Sequence, residues 1–281
     1  TRMKWDAKSI NYSLQNAGAV FSIWFIVAFL WVAISSLTYP FQLEWIEGQS
    51  MDTVQRVREG LAVYTEPNIE YVSLLYTPLF YFFSAFMSLF TGMDFIAGRL
   101  TSTLAIIAAC ALIMRWTRAE GGNWQTALCG AGLLCATYRL SGRWFDIARV
   151  DSLAIFFVIA SLYALRFGQT TRAAIITGLL ICAAFFTKQT TLLVLLPVIS
   201  IITLYTLLSP SSSPKRFMCV LCLTTLLSLA ATIALYEYMS GGWFSFFVFK
   251  VPMGHIFLAI FLVVFGLNVL FGLGMPAWIL G

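Results

Sequence analysis

The chain is 281 residues long, 60% hydrophobic and only 10% charged, with a formal net charge of +5 and a mean hydropathy of +0.87. Soluble domains carry about a quarter charged residues, so this composition excludes them and reads as a polytopic membrane protein. No basic run of the kind that binds nucleic acid is present, and the single histidine, His255, excludes a His-rich metal site and a Ser-His catalytic scheme.

An all-α architecture follows from the long apolar runs, since crossing roughly 30 Å of hydrocarbon takes about 20 helical residues and no ten-residue alternation suggests a barrel. The whole chain, 1–281, reads as one transmembrane domain. A polar head carrying Arg2, Lys4 and Lys8 precedes the first span, 17–38, and positive charge there predicts a cytoplasmic amino terminus. Residues 39–94 form a long extracytoplasmic loop. Its polar part, 39–71, holds six of the twelve carboxylates: Glu44, Glu47, Asp52, Glu59, Glu66 and Glu70. Such a concentration of acids between two apolar runs points to chemistry or binding.

Residues 71–92 are long enough to cross but aromatic and interrupted by Pro78. Lys and Arg divide almost evenly whether this stretch crosses or lies on the membrane. A lying helix leaves simple basic turns inside and gathers the mixed acid and base loops outside, which predicts about eight spans. Central spans occupy 95–208 as 95–116, 125–138, 152–165, 173–187 and 191–208. A cytoplasmic turn, 209–216, leads to the last two spans in 217–281, at 217–239 and 255–273. Because the chain opens at Thr1 and stops within an apolar run, it reads as part of a longer product. The six cysteines lie in apolar runs, which predicts small buried side chains rather than a disulfide framework.

Three polar groups stand out. Glu44, Glu47 and Asp52 follow one another in LEWIEGQSMD, where a carboxylate at the membrane surface can accept a proton or help hold a divalent cation. The second group, 139–152, interleaves Asp146 and Asp151 with Arg143 and Arg149. Mutual salt bridging is one reading; the other has an acid assisting the first loop and an arginine binding phosphate. Arg99 and Lys188 interrupt apolar sequence, and each either snorkels to the surface or meets an anion.

The ordered set EWIEGQ, REGLAVYTEP, LLYTPLFYF, GRLTSTL, DIARVDSLA, FFTKQT and GGWFSFFVFKVP, spread over about residues 17–255, resembles bacterial GT-C glycosyltransferases. The nearest likeness is to protein O-mannosyltransferases and the lipid A aminoarabinose transferase, the family 39-like group. The resemblance implies juxtamembrane helices in the first loop, a polyprenyl-phosphate sugar donor and inversion at the sugar carbon in a bacterial inner membrane. It implies Glu47 as catalytic base, Asp146 or Asp151 as second-loop acid, and Arg99, Arg149 and Lys188 as phosphate ligands. Two rival readings are a non-catalytic scaffold in a larger membrane complex with partner subunits, and a lipid-linked sugar transporter. Lipid is a partner in all three.

Overall fold

The computed structural model describes residues 7–208 and 212–254. Every element among them is helical: α1 (Ala7–Leu37), α2 (Trp45–Arg58), α3 (Leu79–Thr91), α4 (Phe95–Ala119), α5 (Trp124–Ala136), α6 (Asp151–Phe167), α7 (Thr171–Thr187), α8 (Leu192–Leu208) and α9 (Ser212–Ser240). A 3-10 turn, Gln189–Thr191, leads into α8, and a π-helical turn, Phe246–Lys250, follows α9.

Four helices are long and apolar enough to cross a membrane: α1, α4, α8 with its leading turn, and α9. The protein is therefore a helical membrane protein, but the eight expected spans are not reached on length and composition among the described residues. Helices α5, α6 and α7 have 13, 17 and 17 residues, about 20 to 26 Å at 1.5 Å per residue. The eighth expected span, 255–273, lies outside the described residues. The expected turn at 209–216 is shorter than its composition suggests, because α9 begins at Ser212 and Pro214 sits in its first turn, where a missing N–H costs nothing.

One end of the bundle gathers the first long loop, the segment between α5 and α6 and the corner after α7. The carboxy-terminal ends of α1, α5 and α7 and the amino-terminal ends of α2, α4 and α6 all meet there. Arg99, near the start of α4, donates to the Ser36 and Tyr39 carbonyls at the end of α1, so the intervening loop returns to the end it left. Within that loop, α3 has only 13 residues, about 20 Å, short of the roughly 30 Å of hydrocarbon. Residues 71–78 are irregular and the helix starts after Pro78, whose ring cannot continue a preceding helix.

Close packing is built on small residues. A Cβ on Gly98 of α4 would meet the Ala148 Cβ at 2.5 Å, so the glycine lets the 138–150 segment lie directly on α4. On α5, a Cβ at Gly132 would meet the Ser22 Cβ of α1 at 2.3 Å. Where lipid surrounds the helices, such close backbone approach supplies the van der Waals contact that association depends on.

Gly132→Val is expected to lower stability by about 1–3 kcal/mol through overpacking. Gly60→Asn, at a positive φ of 71° with nothing within 4 Å of the added Cβ, is expected to change it by less than about 0.5 kcal/mol. Thermal unfolding of the purified protein in one detergent compares the two directly.

Candidate functional site

Two charged clusters occupy the polar end, and they differ in how completely their hydrogen-bonding capacity is used. The first is Glu47 with Arg99. Trp45–Arg58 starts where the Glu44 side chain accepts from the Ile46 N–H, capping the helix, and this turns Glu47 in the first turn toward α4. Arg99 Nε and Nη2 reach the two Glu47 oxygens at 3.0 and 2.9 Å, and both side chains are fully buried.

The remaining Arg99 N–H groups donate to Ser36 O at 2.8 Å, Tyr39 O at 2.6 Å and Phe41 O at 2.7 Å, which occupies all five guanidinium donors. Glu47 also accepts from the Leu43 N–H at 2.6 Å and the Ala148 N–H at 2.7 Å, so each carboxylate oxygen holds two hydrogen bonds. A saturated, enclosed carboxylate has no lone pair for an incoming hydroxyl, and a saturated guanidinium has no N–H for a phosphate. The base role expected of Glu47 and the phosphate role expected of Arg99 do not suit this geometry. Their pairing ties the end of α1, the start of α2, α4 and the 138–150 segment together.

Asp146 is likewise structural in its surroundings. It is buried and accepts from Ser36 Oγ at 2.7 Å and Tyr138 Oη at 2.9 Å, joining α1 to the segment after α5. It has no cation within ion-pair distance among the described residues and stands outside the second cluster. Asp52 is exposed on α2 beside Gln55 and Asp94, also away from it.

The second cluster consists of Glu44, Arg149, Asp151 and Lys188. Arg149 Nη1 lies 3.1 Å from Glu44 Oε1, and its Nε lies 3.1 Å from Asp151 Oδ2. Lys188 Nζ approaches Asp151 Oδ1 at 2.6 Å. The Arg149 guanidinium stacks 3.9 Å from the Trp144 ring centroid, and the Tyr76 hydroxyl is 3.5 Å from Nη2. Unlike the first pair, these groups reach the surface: side-chain exposure is 19% for Glu44, 13% for Asp151, 23% for Lys188 and 6% for Arg149.

Unused valence remains throughout the second cluster. Among the described residues, Glu44 Oε2 and each Asp151 oxygen accept one hydrogen bond, Glu44 Oε1 meets Arg149 only as an ion pair, Lys188 uses one of three donors, and Arg149 donates from Nε and from one Nη2 N–H. Burial pushes the Asp151 carboxyl up, but the charges of Lys188 and Arg149, with their hydrogen bonds, outweigh it and hold the group below the ordinary carboxylate range. Two anions and two cations make the cluster neutral. It can therefore exchange its internal contacts for an incoming anion at the cations and an incoming donor at the acids.

The corner that carries Lys188 is held from two sides. Gln189 Nε2 donates to Leu75 O at 2.7 Å and Val248 O at 3.3 Å, and Thr77 Oγ1 donates to Phe185 O at 2.7 Å. Sequence reasoning did not single out Tyr76, Trp144 or Gln189. Their signal was position alone, each within a few residues of a charged group in an otherwise apolar run. No group of three or more His, Cys, Asp or Glu side chains that could hold a metal ion stands together among the described residues. The chain matches no family model, no curated protein and no solved structure.

Arg99→Met is expected to cost about 3–5 kcal/mol, because it strands the buried Glu47 carboxylate; chemical or thermal unfolding reads the loss. A second expectation concerns pH. Because the Asp151 pKa is depressed by folding, its stabilisation is full above the ordinary value of about 4 and is lost as pH falls below that toward the folded value. Asp151→Asn should therefore be less stable than the parent at pH 6, with the difference shrinking as the pH is lowered through 4; a melting series over this range measures it.

Proposed function

We propose that the protein is a membrane-embedded glycosyltransferase of GT-C-like, about eight-span architecture, moving a sugar from a polyprenyl-phosphate donor to an extracytoplasmic acceptor with inversion. The supporting observation is the second cluster. Two cations with spare N–H donors and two carboxylates with spare lone pairs stand together, partly exposed, at the end where a membrane surface would lie.

In this reading Glu44 accepts the proton of the acceptor hydroxyl as its oxygen attacks the anomeric carbon. The bond to the donor phosphate breaks, and the leaving polyprenyl phosphate takes up negative charge that Arg149 and Lys188 meet. Glu44 takes the base role rather than Asp151 because it faces one cation where Asp151 is held between two. Asp151 spaces Arg149 and Lys188 about a common point, and Trp144 fixes the plane of the Arg149 guanidinium by stacking. Glu47 and Arg99 hold the loop that presents Glu44. The amino terminus is cytoplasmic and the cluster extracytoplasmic, in a bacterial inner membrane.

Glu44→Gln is expected to reduce transfer of labelled sugar from a polyprenyl-phosphate donor about 10²–10⁴-fold, with the fold retained. Turnover at the parent rate in that variant would overturn the assignment. Donor label crossing a vesicle bilayer without glycosylated product would instead mark a lipid-linked sugar transporter, and a stoichiometric membrane complex without transfer would mark a scaffold.

A further inference from the structure

Away from the second cluster, a groove of about 550 Å³ opens between α1 and α5. The two helices run in the same direction, and below the groove Gly132 lets α5 lie against Ser22 of α1. Between that contact and the polar end, Trp24, Phe25, Phe29 and Val32 form an apolar wall over about 12 Å of α1. Arg139 and Arg143 line the same groove, on the segment that leaves α5 toward the polar end. Both are exposed, and neither has a carboxylate within ion-pair distance among the described residues.

The backbone beneath them is unusual. Arg143 has a φ of 63°, the one positive φ at a non-glycine position among the described residues, and it follows Gly142 at 75°. A left-handed arginine is disfavoured relative to glycine and persists only where its surroundings fix it. Here the Arg143 N–H donates to Tyr138 O at 2.9 Å, and the Tyr138 hydroxyl is in turn held by Asp146. The buried Asp146 therefore sets the turn that places a guanidinium at the groove.

We infer that this groove is a binding site for an anionic membrane phospholipid, its phosphate on Arg139 and Arg143 and one acyl chain along Trp24, Phe25, Phe29 and Val32. Charge complementarity favours this occupant. The charges of the second cluster cancel one another, whereas the two groove arginines are uncompensated, and an apolar trough leading to two guanidinium groups matches a phosphate joined to a hydrocarbon chain. None of the groove residues belongs to the Glu44 cluster, so the inference stands whether or not the transferase reading holds.

The test uses the full chain, purified and delipidated in detergent, with lipid retention read by native mass spectrometry. Dioleoyl phosphatidylglycerol is compared with dioleoyl phosphatidylcholine, inorganic phosphate and polyprenyl phosphate. Phosphatidylglycerol is expected to bind on the order of tenfold more tightly than phosphatidylcholine, since two guanidinium groups near the surface attract an anionic headgroup. The double variant Arg139→Gln, Arg143→Gly should lose that preference. Glycine suits the left-handed backbone, so the fold is retained, and Arg139→Lys should keep most of the preference. Ala28→Phe, which fills the trough, should weaken phosphatidylglycerol with both arginines in place. Equal retention of the two phospholipids by the parent, or an unchanged preference in the double variant, would overturn the site. Tighter, arginine-dependent retention of polyprenyl phosphate would overturn the phospholipid as its occupant, and binding of inorganic phosphate at equal strength would remove the role of the trough.

Discussion

The pairing of Glu47 with Arg99 is the contact on which the polar end depends. An isolated charge in this enclosed position would be strongly unfavourable, and the pair is tolerated because nine hydrogen-bonding places on the two groups are all filled. The partners come from five separate segments: the end of α1, the 39–43 strip, the start of α2, α4 and the backbone at Ala148. Apolar packing of Met51 and Ala148 against α4 at Gly98 closes the same junction from the side. Long loops ordinarily move over the surface of a bundle, but this one is fastened at both ends to a buried ion pair, and its returning limb is fastened again by the Arg58 guanidinium on Ser88.

What that fastening produces is a graded polar region. Residues close to the pair have their capacity exhausted, and those a few ångströms outward do not. Glu44 and Glu47 illustrate the gradient, being one turn of chain apart and chemically alike. Glu44 sits outside the helix as its cap, with one oxygen directed at Arg149; Glu47 sits inside the first turn with no remaining acceptor site. The same separation divides Asp146 from Asp151 in the second loop. One acid of each pair organises backbone, and the other remains able to meet a ligand.

Much of this is legible in the sequence. The all-helical membrane class followed from composition, and the meeting of residues 39–71 with 139–151 followed from weighing which loops carry mixed charge. Pro78 marked the break within 71–92, where the helix begins only after it, and the return of Arg99 to the Ser36 carbonyl brings the start of α4 back to the end of α1. The partition of labour between Glu44 and Glu47 was not legible. Spacing of three along a chain says nothing about which acid caps a helix and which turns inward, since that depends on Gly98 letting Ala148 approach α4. The length of one expected span, 125–138, was overestimated for a related reason. Hydropathy extends a run through residues such as Thr137 and Tyr138 that the backbone uses for turns, so α5 ends at Ala136.

Internal neutrality of the outer cluster carries a consequence for residence time. Lys188 and Arg149 are never empty-handed, because Asp151 stays beside them at 2.6 and 3.1 Å. Any anion that docks there competes with a tethered carboxylate whose effective concentration does not dilute away, and the same carboxylate returns as the anion departs. In the proposed reading the resident acid would thus set a ceiling on how long a donor phosphate stays, and a site with such a ceiling would favour repeated exchange over capture.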